Sequence, residues 1–338
     1  MKISHGLQAA QPRPKAYENT DGRPTWSPDS QMVASEKGRD VVVLSRSDSK
    51  ILHRLGPEGD WVTTPDWSPD GKRITYGVFG KHRDYDVGSW AVYSSNPDGS
   101  DARILQTDGQ EPEYSPQGNR IAFQFTKGHY PDRITIMDAD GQNPTFISKG
   151  GHIQQDLSWS PGGHQIAFDG KFDGWYQLRI TDITGKKERV LTDGDGGRFT
   201  DKNPEWSPNG KSILFERHSR RALANSVMTI DPITKEEKVI LQGLQRNLDV
   251  TWSPDGSKIA FVSDRDNDQY ELDVYVMNAD GSNVTQVTDL KGQEYAPAWS
   301  PDGKALAFNR WDREAKGEAR DDVHIVELPE ELWGNKVP

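Results

Sequence analysis

The sequence predicts an all-β chain folded as a seven-bladed β-propeller of four-stranded antiparallel blades, a single domain over residues 1–338. Three observations predict it. The segment "PEWSPNGKSILFE", Pro204 to Glu216, is one of seven near-copies, each holding an aromatic residue followed by Ser-Pro. These aromatic anchors, Trp26, Trp67, Tyr114, Trp159, Trp206, Trp252 and Trp299, recur at spacings of 41, 47, 45, 47, 46 and 47 residues. Each is followed by a period-two apolar alternation, the mark of a strand with one buried face. A unit of this length buries too little surface alone, so neighbouring units must cover one another, and a ring of sheets does that.

Each unit reads as four short strands. The first ends at the anchor and Ser, and a Pro-Asp-Gly turn follows at Pro69, Pro254 and Pro301, where Pro presets one dihedral and Gly accepts positive φ. In the second strand the residues seven and nine after the anchor are Val33/Ser35, Ile74/Tyr76, Ile121/Phe123, Ile166/Phe168, Ile213/Phe215, Ile259/Phe261 and Leu306/Phe308. They share one face, which the pattern assigns to the core together with the anchors. Third strands follow at "WAVYSS", "RITIMD", "LRITDI", "SVMTID", "DVYVMN" and "DVHIVE". Fourth strands such as "RVLTDG" and "TQVTDL" complete the blades. After "DVHIVELP" the tail "EELWGNKVP" makes a poor fourth strand, and Lys2 to His5 is expected to supply the outer strand of the last blade and remove its open edge, with the C-terminal tail as the alternative.

The phrases "PAWSPDGKALAF" and "VTWSPDGSKIAFVSDRDNDQYELDVYVMNADGSNVTQVTD" resemble the PD40 (WD40-like) repeats of the TolB family of propellers, and the resemblance covers essentially the whole chain. It implies a propeller and a periplasmic or secreted protein whose signal lies outside this chain, with the cytoplasm as the alternative. TolB proteins carry a separate domain before the propeller, whereas 25 residues precede the first anchor here.

Composition narrows the function. The longest apolar runs, such as Val41 to Leu44, are strand-sized, so no membrane insertion is expected. The N-terminus lacks the apolar core of a secretory signal. With no cysteine there are no disulfides and no thiolate metal or nucleophile chemistry. A formal charge of −11 argues against nucleic acid as a partner.

Function is expected on the face carrying the longer loops, between strands two and three and between one blade and the next. Tyr130 with His129 in blade three, Trp175 and Tyr176 in blade four, Arg217, His218, Arg220 and Arg221 in blade five, and Arg198 and Trp311 form a basic and aromatic set suited to an anionic or stacked ligand. The expected ligand-binding residues are Tyr130, Trp175, Arg217, His218, Arg220, Arg221 and Trp311, and the expected partner of this monomer is a protein, a peptide or an anionic glycan. The residues before the anchors, Thr25, Asp66, Glu113, Ser158, Glu205, Thr251 and Ala298, are expected to face the central channel, where the three acids could hold a divalent cation. No cofactor is otherwise implied. The acidic runs around Asp193, Asp195 and Asp201 and around Asp264, Asp266 and Asp268 do not complete a calcium-loop pattern. Two function classes follow: a non-enzymatic binding or scaffold propeller, which is preferred, and a polysaccharide lyase acting on uronate-containing glycans. The lyase would need a base and a cation to neutralise the uronate, roles that His129, His152, Tyr176 and Arg198 could fill by residue type.

Overall fold

The structure, a computed structural model, describes residues 22–80, 89–127, 130–150, 153–220, 225–266, 271–312 and 321–333, with the side chains of 127, 130–132 and 321 outside that description. Its strands, β1 to β27 in chain order, form seven antiparallel sheets. The innermost strands are β1 (Thr25–Trp26), β5 (Trp61–Trp67), β9 (Gly109–Tyr114), β13 (Gln154–Trp159), β17 (Phe199–Trp206), β21 (Asn247–Trp252) and β25 (Gln293–Trp299). In every blade the anchor pairs with the residue seven positions later, from Trp26 with Val33 to Trp299 with Leu306, as the repeat predicts. Six sheets have four strands. The seventh shows three among the described residues and ends at β27 (Asp321–Glu327); the expected fourth, Lys2 to His5, lies outside them.

The buried side chains gather into seven clusters, one at each junction between blades. The cluster of Trp26, Val33 and Val42 with Ala305, Ala307 and Val323 joins the first blade to the last and so closes the ring. All seven anchors are core residues, at most 8% exposed, and so are the pairs on the second strands. Large apolar side chains thus do for the ring what a single core does for a compact domain, each contributing about 1.5–3 kcal/mol.

The Ser of the repeated phrase has a structural reason of its own. In all seven blades its Oγ accepts the backbone N–H six residues after the anchor, at 2.8 Å from Met32, 2.9 Å from Arg73 and 2.9 Å from Lys258, for example. Where Asp or Asn stands two residues on, as at Asp70 and Asp255, the hydroxyl donates to it. The turn therefore satisfies backbone groups that would otherwise be left without partners as the chain reverses.

Trp159→Ala should leave a cavity between the third and fourth blades and lower stability by about 3–5 kcal/mol, whereas Ser253→Ala should cost about 1 kcal/mol, both read from the urea midpoint.

Candidate functional site

The inner strands do not run straight to the channel. Each of the six strands from β5 to β25 has a register break just before its anchor, and the residue three before the anchor takes a left-handed backbone: Thr64, Glu111, Asp156, Asn203, Asp249 and Ala296, with φ between 46° and 54°. For residues other than glycine this conformation is strained and persists only where the surroundings hold it. At four of the six an acid of the preceding blade takes the exposed N–H. Glu36 Oε1 accepts from Thr64 at 2.6 Å, Asp169 Oδ2 from Asn203 at 3.3 Å, Glu216 Oε1 from Asp249 at 2.6 Å, and Asp249 Oδ2 from Ala296 at 2.8 Å.

One layer deeper, the residues before the anchors repeat the device. Asp66 Oδ2 accepts the Tyr114 N–H at 2.7 Å, Ser158 Oγ that of Trp206 at 3.1 Å, and Glu205 Oε1 that of Trp252 at 3.0 Å. The acids expected in the channel are there, and their first task is to bind the next blade. Among the described residues no group of three or more acids and histidines has an arrangement able to hold a metal ion.

The two layers enclose a cavity of about 390 Å³ whose lining includes Asp66, Glu111, Glu113, Asp156 and Glu205 against one cation, Arg23. Burial dominates its electrostatics. It pushes Asp66 up to about 7. It also raises Glu113 well above the usual carboxylate range, with the charge of Asp66 adding to the effect, and raises Glu205. Beside the cavity, burial and the Glu216 charge push Asp249 to about 6. Glu216 goes the other way: burial opposes its charge, but hydrogen bonds from His218, Asn203 and the Asp249 N–H outweigh it. Burial also raises Asp169 well above the usual range, and the neighbouring Asp156 charge adds to that.

The residues expected to bind ligand are placed unevenly. His129, His152 and Arg221 lie outside the described residues, as does the side chain of Tyr130. Arg217 is gripped by the fully buried Asp201 through Nε and Nη2 at 2.8 and 2.9 Å, and also pairs with Glu237. His218 Nε2 meets Glu216 Oε2 at 2.9 Å. Trp175 packs so closely on the loop before β17 that a Cβ at Gly197 would come within 2.7 Å of its ring, and Arg220 donates to the Gly197 carbonyl at 3.2 Å. Arg198, on the same loop, is exposed and pairs with Asp195 at 3.1 Å. The Tyr176 ring lies under Lys202 Nζ at 4.3 Å. Blades four and five therefore bring Trp175, Tyr176, Arg198, Arg217, His218 and Arg220 to one sector, while Trp311, paired with Gln293 in the seventh blade, stands apart.

Lys202, Asp169, Glu216 and Asp249 were not singled out by the sequence, although a signal exists: Asp169 and Glu216 stand ten residues after an anchor, and Asp249 three before one. An acid inside an apolar strand at a repeating offset marks a place where the fold uses the charge.

Comparison with known proteins agrees with this architecture. The TolB beta propeller domain family, PD40, matches residues 23–247 and 175–319, and the chain belongs to that family. Relatives include an uncharacterized protein of Agrobacterium fabrum, 28% identical over 73% of this chain and 84% of its own length. The Tol-Pal system protein TolB of Francisella tularensis subsp. holarctica is 26% identical over 71% of this chain, which spans only 54% of that relative. Among solved structures, an oligogalacturonate lyase from Vibrio parahaemolyticus superposes with a TM-score of 0.68, covering 93% of each chain at 12% identity, a likeness of fold alone. No helix among the described residues is long and apolar enough to cross a membrane.

Two predictions follow from the geometry. Arg217→Ala leaves Asp201 buried without its partner, so unfolding should become easier by about 3–5 kcal/mol in chemical denaturation. Asp66 holds a proton in the folded state that the unfolded chain releases, so its contribution to stability falls as pH rises from the ordinary value of 3.8 to about 7. Asp66→Asn keeps an acceptor for the Tyr114 N–H without the charge. It should be more stable than the wild type by roughly 1–4 kcal/mol at about pH 8, and the gap should close toward pH 4.

Proposed function

We propose that this protein is a non-enzymatic binding propeller, acting as a monomer, whose long-loop face and channel mouth receive a protein or peptide segment that presents positive charge. One observation carries the reading: of the described cations expected to attract an anionic ligand, Arg217, Arg198 and His218 already meet carboxylates and Arg220 donates to a backbone carbonyl, while the channel keeps more acid than base. Arg217 belongs to Asp201 and Glu237, Arg198 to Asp195, Arg246 to Asp264 and Arg310 to Asp312. The lining of the channel cavity has five carboxylates and Arg23. Even with Asp66 and Glu113 partly protonated, the field favours cations. The channel acids accept backbone N–H groups of neighbouring blades, a structural commitment that supports binding over proton-transfer chemistry. The relatives of the Tol-Pal system support a partner-binding role in the periplasm or outside the cell.

The test pairs two ligand classes. Labelled lysine- and arginine-bearing peptides, matched acidic peptides and oligogalacturonate are titrated at low and high salt. The basic peptides should bind and weaken with salt, and the others should not bind. A rise in ultraviolet absorbance on incubation with polyuronates would reveal elimination and overturn the reading.

A further inference from the structure

The side chain of Arg23 occupies an unusual place. It precedes β1 by two residues and stands three before its anchor, the position that the other blades give to a bulged residue on the channel wall. Its Nη1 lies 3.7 Å from Glu205 Oε2. Those residues belong to the first and fifth blades, which are not neighbours in a ring of seven, so the pair spans the lumen. Burial opposes the charge of Arg23, yet Glu205, Asp249, Asp156 and Glu216, from three different blades, together raise its pKa. A guanidinium thus sits where the fields of three blades converge.

The seat is not fully used. Glu205 Oε1 takes the Trp252 N–H and the Thr251 hydroxyl, at 3.0 and 3.2 Å, but Oε2 is buried with no hydrogen bond. At 3.7 Å Arg23 compensates its charge without bonding to it. A carboxylate oxygen in this position gains most from a planar, multiply donating cation brought within bonding distance. The Arg23 side chain keeps 36% of its surface exposed.

We infer that the lumen is a guanidinium site in which Arg23 stands in for the ligand, and that an arginine side chain from a bound partner exchanges with it at Glu205. The inference rests on the reading above, that the channel mouth receives a positively charged segment, and makes it specific. Free protein is then kept in a self-occupied state. A partner must displace Arg23 before its own arginine can seat, so Arg23 lowers affinity by the fraction of time it holds the site.

The experiment uses Nα-acetyl-argininamide as the probe and its neutral isostere, Nα-acetyl-citrullinamide, as the control. Calorimetry on wild type and Arg23→Gln should show the variant binding the arginine probe at least tenfold more tightly, with no binding of the citrulline compound. Glu205→Gln added to Arg23→Gln should abolish the gain. Equal affinity of wild type and a folded Arg23→Gln overturns the exchange. Should Arg23→Gln fail to fold, Arg23→Lys retains a cation but cannot make a guanidinium contact, and it should show a smaller gain for the same probe; no gain there also overturns it. The outcomes separate the two claims. Loss of basic-peptide binding by wild type removes the functional reading, whereas unchanged peptide binding by wild type and Arg23 variants removes only the exchange.

Discussion

Everything in this ring depends on how one sheet holds the next. Packing of the aromatic anchors supplies attraction at each junction, but attraction without direction would let blades slide or rotate. Direction comes from inner-strand N–H groups that leave their own ladder and end on a side chain of the preceding blade, as Thr64 does on Glu36 and Asp249 on Glu216. The left-handed bulge is what frees the donor, and the acid is what keeps the bulge. Where this pair forms, the junction is fixed in height and rotation as well as in contact.

The same acids set the character of the channel. Because their oxygens are aimed at the backbone of the next sheet, they are buried, and burial raises Asp66, Glu113 and Asp169 out of the usual carboxylate range. The lumen is consequently acidic in composition but only partly charged near neutrality. Arg23 compensates part of the remaining charge from across the opening. Structural and recognition roles are thus carried by one set of side chains. Glu205 shows the division most clearly, with one oxygen holding the sixth blade and the other facing the lumen.

Much of the fold was legible because it is periodic. The anchors, the Ser of the turn and the pairs seven and nine residues on recur in nearly the same types, and the structure uses each copy in the same way. The site was less legible for two physical reasons. The position ten after the anchor carries Glu36, Gly77, Gln124, Asp169, Glu216, Val262 and Asn309, so its role is hidden by variety of type. The loop-face cations were visible, but their partners were not: Asp201 reaches Arg217 through strand pairing across 16 residues, and no local pattern announces that pairing. A cluster of arginines in sequence therefore looked available although Arg217, its first member, was already held by two carboxylates.

The junctions also have a sense of travel. Blades one, four and five each offer an acceptor to the blade after them, which supplies the donor, so the two sides of a blade are complementary to each other and not to themselves. Surfaces of this head-to-tail kind generate either a closed ring or an endless stack, and only the turn per unit decides which. A copied blade inserted at a junction that keeps this contact would find matching neighbours on both sides, so the architecture is open to growth by internal duplication. Its limits are written at Gly77 and Val262, where the acceptor is missing and, after Val262, Asp249 reaches across to Ala296 instead. A duplicate taken from those junctions would arrive without its fastening.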